Sequence, residues 1–207
     1  MRIILIADTH GCHREVKLPA GDMLIHAGDI STKGDENEVL DFLDWFSSLD
    51  FAHKIFIAGN HDFYFEKRTI EEIESVLPKN IYYLQDSGIT IDGFKIWGSP
   101  ITPWYFNWAF NRRADAIVRH WDMIPRDTDI LITHGPPFRI LDTNIKDQHT
   151  GCKELLLAVQ EIQPRLHVFG HIHESYGMVE KKYGQFINAS IMDHEFKIRN
   201  KPAIVNL

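Results

Sequence analysis

Asn60 and His61 stand side by side in Gly59-Asn60-His61-Asp62, directly after the apolar run Lys54-Ile55-Phe56-Ile57-Ala58. A carboxamide oxygen that can ligate a cation and an imidazole that can donate a proton thus sit at the end of what reads as a buried strand. Four other short clusters are placed the same way: Asp8-Thr9-His10-Gly11 after Ile3 to Ala7, Gly28-Asp29-Ile30 after Met23 to Ala27, His134-Gly135-Pro136-Pro137 after Ile130 to Thr133, and Gly170-His171-Ile172-His173 after Leu166 to Phe169. Residues two apart in extended chain project the same way, so Asp8 and His10 can present to one point. Carboxylates gathered with imidazoles are what divalent metals require. Ligands of open sheets bind beyond the carboxyl ends of the strands, so these strand ends fit one crevice better than five unrelated turns.

The elements that must position them follow from periodicity. The short continuous apolar runs are the pattern of strands covered on both faces. Asp35 with Glu38 opens a helical pattern through Val39, Leu43, Phe46 and Leu49; Thr69 with Glu72 opens a second through Ile70, Ile73 and Val76 that Pro78 ends. Beyond it Ile81 to Leu84, Ile89 to Ile91 and Phe94 to Trp97 read as strands, the last two joined by Asp92-Gly93, a hairpin turn. The parallel portion therefore passes into antiparallel pairing. Gly98 to Trp108 is irregular and rich in aromatic residues, and a helix is expected from about Ala109 to Trp121. Part of this stretch is expected as core; the alternative is a loop whose Trp104 offers a face to a planar group, with Arg112 and Arg113 as phosphate contacts. A further helix spans about Gly151 to Gln163, and Phe186 to Ala189, Glu195 to Ile198 and Ala203 to Val205 read as closing antiparallel strands.

A chain of 207 residues with 44% hydrophobic content, and no repeat or linker, is expected to form a single domain over 1–207. A net charge of -7 without a basic block argues against long nucleic acid and anionic membrane as partners. Twelve His accompany that acidity. Two cysteines, Cys12 and Cys152, exclude a disulfide framework. With no leader-like start and no apolar span of membrane length, a cytoplasmic location is expected. The oligomeric state is not legible.

In their order, the blocks Asp-x-His, Gly-Asp, Gly-Asn-His-Asp, a lone His and Gly-His-x-His resemble the calcineurin-like metallophosphoesterase superfamily, over most of the chain. Trp97-Gly98-Ser99-Pro100, Thr133-His134-Gly135-Pro136-Pro137, His167 to Glu174 and Ile187-Asn188-Ala189-Ser190 are further similar to its small single-domain branch, which includes metallophosphoesterase-domain proteins with cyclic-nucleotide phosphodiesterase activity. The resemblance implies an α/β fold, a four-layer α/β/β/α sandwich of two mixed β-sheets flanked by helices, metallo-dependent phosphatase-like. It also implies that Asp8, His10, Asp29 and His173 hold one metal and that Asp29, Asn60, His134 and His171 hold the other, with Asp29 bridging.

Carboxylate, amide and imidazole without thiolate suit two divalent ions, manganese first, with iron or zinc as alternatives. Two such ions about 3.5 to 4 Å apart share and acidify a water, so hydrolysis of a small phosphodiester substrate is the expected reaction. A nuclease, a phosphomonoesterase or a protein phosphatase would use the same centre, whereas a non-catalytic scaffold should have ligand positions replaced, and here none is. With Asn60 as a ligand, His61 is free to protonate the leaving oxygen, as the catalytic residue. Many superfamily members carry an acidic residue three positions after the Gly-Asp aspartate to orient this His; here that position is Thr32. Asp62 is read as an anchor for the loop and Cys12 as packing.

Overall fold

The computed structural model describes residues 1–207, apart from the side chain of Ala114. Along the chain, β1 (Arg2–Ile6) and β2 (Met23–Ala27) lead to α1 (Glu36–Ser48), and β3 (His53–Ile57) leads to the short helices α2 (Phe63–Glu66) and α3 (Ile70–Val76) and to β4 (Tyr82–Tyr83). There follow β5 (Ser87–Ile91), β6 (Phe94–Ser99), the small pair β7 (Thr102–Pro103) and β8 (Asn111–Arg112), then α4 (Ala114–Trp121) and β9 (Ile130–Thr133). The chain closes with α5 (Lys153–Ile162), β10 (Leu166–Phe169), β11 (Gly177–Lys181), β12 (Gly184–Asn188) and β13 (Ala203–Asn206).

Two mixed sheets result. One is ordered β13-β1-β2-β3-β4 with β13 antiparallel at its edge; the other is ordered β11-β12-β10-β9-β6-β5, with β11 and β5 antiparallel at its edges. The continuous apolar runs are explained by alternation of faces. Ile3, Leu5, Ile25 and Ile55 of the first sheet pack with Ile130, Ile132, Val168 and Ile187 of the second, while Ile4, Leu24 and Phe56 turn the other way toward Val39, Phe42 and Phe46 of α1. Leu131, Phe169 and Phe186 likewise turn outward to Ile117 and Trp121 of α4 and Leu155 and Val159 of α5. Each central strand is apolar on both sides because one side meets a sheet and the other a helix. The four-layer α/β/β/α arrangement expected from the sequence is the observed one.

The sheets also touch at their carboxyl ends. Ala7 donates to Ala189 O at 2.9 Å, and Ile191 donates back to Ala7 O at 2.9 Å, so the end of β1 is stitched to the chain leaving β12. This seam lies beneath the five motif loops.

Two local expectations are corrected. The helix expected from about Ala109 begins at Ala114, because Asn111–Arg112 pairs in parallel with Thr102–Pro103 first. Glu195 to Ile198 is not a strand: Asp193 Oδ1 accepts from Glu195 N at 2.9 Å and Lys197 N at 3.0 Å, which coils the segment into a turn with Phe196 at φ 57°. Only the isolated bridge Met192–Ile198 remains of the expected pairing. Both expected helix starts hold: at α3 Thr69 and Glu72 exchange bonds as a reciprocal cap, and at α1 Asp35 accepts from Asn37 N and Glu38 N while the Glu38 side chain goes elsewhere. Among the described residues, no helix is long and apolar enough to cross a membrane.

Candidate metal centre

All seven positions singled out as ligands converge. Asp8, His10 and His173 offer ligand atoms within 4.8 Å of one another, as do Asp29, His134 and His171, and His10, Asp29 and His61 form a third group between them. The individual separations are Asp29 Oδ2 to His10 Nε2, 3.7 Å, and to His134 Nε2, 3.2 Å; Asp8 Oδ1 to His173 Nε2, 3.8 Å; and Asn60 Oδ1 to His134 Nε2, 2.9 Å. Asp29 thus lies in the middle, within reach of both clusters.

The backbone bends sharply to allow this. Asp8, His10, Asp29 and His171 all lie in the left-handed region, at φ 57°, 40°, 55° and 69°. Each such residue costs roughly 1 kcal/mol or more unless its surroundings over-determine it. Here they do: Asp8 N donates to Gly28 O at 2.9 Å, His10 N to Asp29 O at 3.0 Å, and His171 N to the Asp8 carboxylate at 2.9 Å. The last bond ties the first sheet's first loop to the second sheet's last. The motif glycines make room rather than flexibility. A Cβ on Gly59 would overlap the Asp29 carboxylate and lie 2.7 Å from His134 Cε1, and one on Gly170 would overlap Asp8.

Hydrogen bonds on the far nitrogens aim the imidazoles inward. His134 Nδ1 donates to Ala27 O at 3.0 Å and His173 Nδ1 to Asp193 O at 3.0 Å, which leaves Nε2 of each facing the cluster. The Nε2 atoms of His10 and His173 face one another at 3.4 Å. Two imidazole nitrogens converging between two buried carboxylates are a donor set that fits a cation. Burial pushes His10 down to about 4 and His171 down to about 3, so both are neutral with lone pairs free. Burial alone would raise the Asp29 carboxyl and lower His134, but their contact overrides it. Asp29 is held well below the carboxylate range, and His134 is raised to about 9.

His61 stands at the edge of the cluster, its ring edge-on to His10 at 4.6 Å and stacked on Trp108 at 4.3 Å. Its backbone N donates to Asp29 Oδ1 at 2.8 Å, and its Nδ1 donates to Thr32 O at 2.7 Å. Thr32, the residue at the position where the acid is missing, therefore orients the imidazole through its main-chain carbonyl. Asp62 is an anchor: buried, it accepts from Gly59 N at 2.7 Å, Ile30 N at 3.1 Å, Ser31 N at 2.9 Å and Ser31 Oγ at 2.6 Å, joining the two central loops. Burial and the nearby Asp29 raise its carboxyl to about 6.

A cavity of about 280 Å³ opens over the cluster, walled beyond the clustered groups by Tyr105, Trp108, Glu174, His194 and Phe196. Trp104, Arg112 and Arg113 are not in that wall. Trp104 is 49% exposed with the Arg113 guanidinium 4.7 Å over its ring, and Arg112 pairs with Glu66 at 3.3 Å. The aromatic loop divides instead. Phe110 is core, Trp108 packs on His61, and Tyr105 reaches the cavity while 65% exposed. Sequence reasoning missed Glu174, His194 and Phe196. Glu174 adjoins a motif and could have been found; the Asp193 turn that presents Phe196 has no periodic signature.

A protein with two mixed sheets, helices outside, and clustered carboxylate, amide and imidazole donors at the strand ends is a metallophosphoesterase in its architecture. The family model described as calcineurin-like phosphoesterase matches residues 1–175, and the chain belongs to that family. It is 42% identical to human metallophosphoesterase domain-containing protein 1 over 231 residues, covering 100% of this chain and 71% of that protein. It is also 34% identical to the UPF0046 protein K07C11.7 of Caenorhabditis elegans, covering 99% of this chain and 74% of that one. The solved structure of TT1561 from Thermus thermophilus superposes with TM-score 0.66 at 15% identity, covering 90% of this chain and 88% of that chain, which is a likeness of fold. Family and clustered donors together support a metal-dependent phosphoesterase.

Proposed function

We propose that this phosphoesterase hydrolyses small phosphodiesters, cyclic nucleotides among them. The observation that carries the reading is the charge of the cavity wall: it contains no Lys or Arg, and it does contain Glu174. A dianionic monoester would meet the Glu174 carboxylate there with no Lys or Arg of the wall to offset it, whereas a diester carries one negative charge. Tyr105, Trp108 and Phe196 offer faces to a base or aryl group on the ester.

In this reading Asp8, His10, Asp29 and His173 hold one divalent ion and Asp29, Asn60, His134 and His171 the other, with manganese the first choice and iron or zinc the alternatives. Bound there, the ions supply an acidified water and neutralise charge on the phosphoryl oxygens. As the oxygen of the attacking water forms its bond to phosphorus, the bond between phosphorus and the leaving oxygen breaks and its electron pair stays on that oxygen. His61 Nε2 then delivers its proton there, the ring being held by Thr32 O on one nitrogen and by Trp108 on its face. A single domain in the cytoplasm, with no long nucleic acid as partner, belongs to the same reading; the free thiols of Cys12 and Cys152 agree with a reducing compartment.

The test is turnover of an aryl phosphodiester, 2′,3′- and 3′,5′-cyclic nucleotides and single-stranded oligonucleotides by folded protein with manganese, iron or zinc. Metal-dependent hydrolysis of the small diesters is expected. No turnover with any metal overturns the reading, and faster hydrolysis of oligonucleotides would make the protein a nuclease.

A further inference from the structure

We propose that Glu38 is a positioning residue for His61, acting through Thr32; this rests on the reading of His61 as the proton donor. The Thr32 carbonyl that accepts from His61 Nδ1 belongs to an exposed loop, and something must hold it still. Thr32 N and Thr32 Oγ1 both donate to Glu38 Oε2, each at 2.9 Å. One carboxylate oxygen thus fixes Thr32 by backbone and side chain at once, while Gly34 N donates to Ser31 Oγ at 2.9 Å and braces the loop beyond it. Hydrogen bonds to an ionised carboxylate are about twice as strong as neutral ones, so this is a firm hold for a surface loop.

Glu38 is free for that task because it leaves another undone. It occupies the third position of α1, where in α3 the equivalent Glu72 accepts from the capping Thr69 N at 2.8 Å. Glu38 makes no such bond to Asp35. Its Oε1 instead lies against Gly11, where a Cβ would overlap it and where φ is 79°. Gly11 directly follows His10, so the carboxylate stands between the loop carrying Asp8 and His10 and the loop running from Asp29 to Thr32. Among the described residues no Lys or Arg pairs with Glu38. A helix that keeps its Asp35 cap but forgoes the reciprocal Glu38 bond, so that this carboxylate can hold the loop beside a catalytic group, marks a functional placement.

The experiment uses manganese-loaded protein and diesters whose leaving groups range from p-nitrophenol to unsubstituted phenol, which needs proton donation more. Glu38→Ala is expected to lower kcat on the phenyl ester by about tenfold, with KM within twofold and a smaller loss on the p-nitrophenyl ester. Glu38→Gln, whose amide oxygen accepts both Thr32 donors, is expected to restore most of that rate. Thr32→Ala, a mild surface change, is expected to reproduce part of the loss should Glu38→Ala fold poorly. In a His61→Ala background, Glu38→Ala should cost nothing further. Losses from Glu38→Ala that are equal for all leaving groups, that multiply with those of His61→Ala, or that are absent while His61→Ala is impaired would overturn the role of Glu38 alone. An unimpaired His61→Ala would instead remove the proton-donor reading beneath it.

Discussion

His61 and Asn60 are adjacent in sequence yet face different tasks, and single substitutions should separate them. His61 is held by a carbonyl at 2.7 Å on Nδ1, and although it groups with His10 and Asp29, it is not one of the proposed ligands Asp8, His10, Asp29, Asn60, His134, His171 and His173, which its loss should leave in place. His61→Ala is therefore expected to lower kcat by about a hundredfold or more on a diester with a poor leaving group, with bound metal per chain unchanged. Asp29→Asn should do the opposite in order, losing metal first and activity with it, because Asp29 reaches both clusters. Elemental analysis beside steady-state kinetics reads both outcomes; metal loss from His61→Ala would place that imidazole among the ligands.

At the scale of elements, the strand ends and the loops that cross between sheets are fitted too closely for added volume. Gly59 closes β3 with the Asp29 backbone and carboxylate where its side chain would be. Gly59→Ala should destabilise the fold by about 2 kcal/mol, measured by denaturant unfolding, since overpacking forces the neighbours to shift. The outer faces of the strands carry a different sensitivity. His167 of β10 is buried beneath the helical layer and donates from Nε2 to Thr133 Oγ1 at 2.8 Å, with no partner for Nδ1. Burial pushes it down to about 3, so below its ordinary value near 6.5 the unfolded chain binds a proton that the folded chain does not. The stability it contributes is complete above about pH 6.5 and is lost as pH falls toward 3. Unfolding of metal-free protein at pH 7 and pH 5 should show His167→Gln losing about 2 kcal/mol less over that interval than wild type.

The molecule as a whole is a pair of sheets clamped at one end by the residues that gather there, and a bound cation would add to that clamp. Because His171 N on the second sheet's loop donates to Asp8 on the first, ligands held by both sheets couple site and fold. Removing metal with a chelator should lower the melting temperature by roughly 5–10 °C, and adding it back should restore the loss. Much of this was legible in the sequence, because each clustered side chain lies within a few residues of an apolar run and needs only that run to be a strand. The cavity wall was not legible. Trp104, Arg112 and Arg113 were the candidates for it, but the pairing of β7 with β8 delays α4 and Arg112 pairs with Glu66, while Tyr105 and Trp108 of the same loop line the cavity. Phe196 arrives through a side-chain-stabilised turn, and the partner of His61 is a backbone carbonyl, to which no residue type gives a signal. The central claim is that a cavity wall without Lys or Arg favours the singly charged ester. It is tested most directly by the ratio of kcat/KM for bis(p-nitrophenyl) phosphate to that for p-nitrophenyl phosphate, measured with manganese on the same preparation. A ratio well above one is predicted, and a ratio below one would contradict the account.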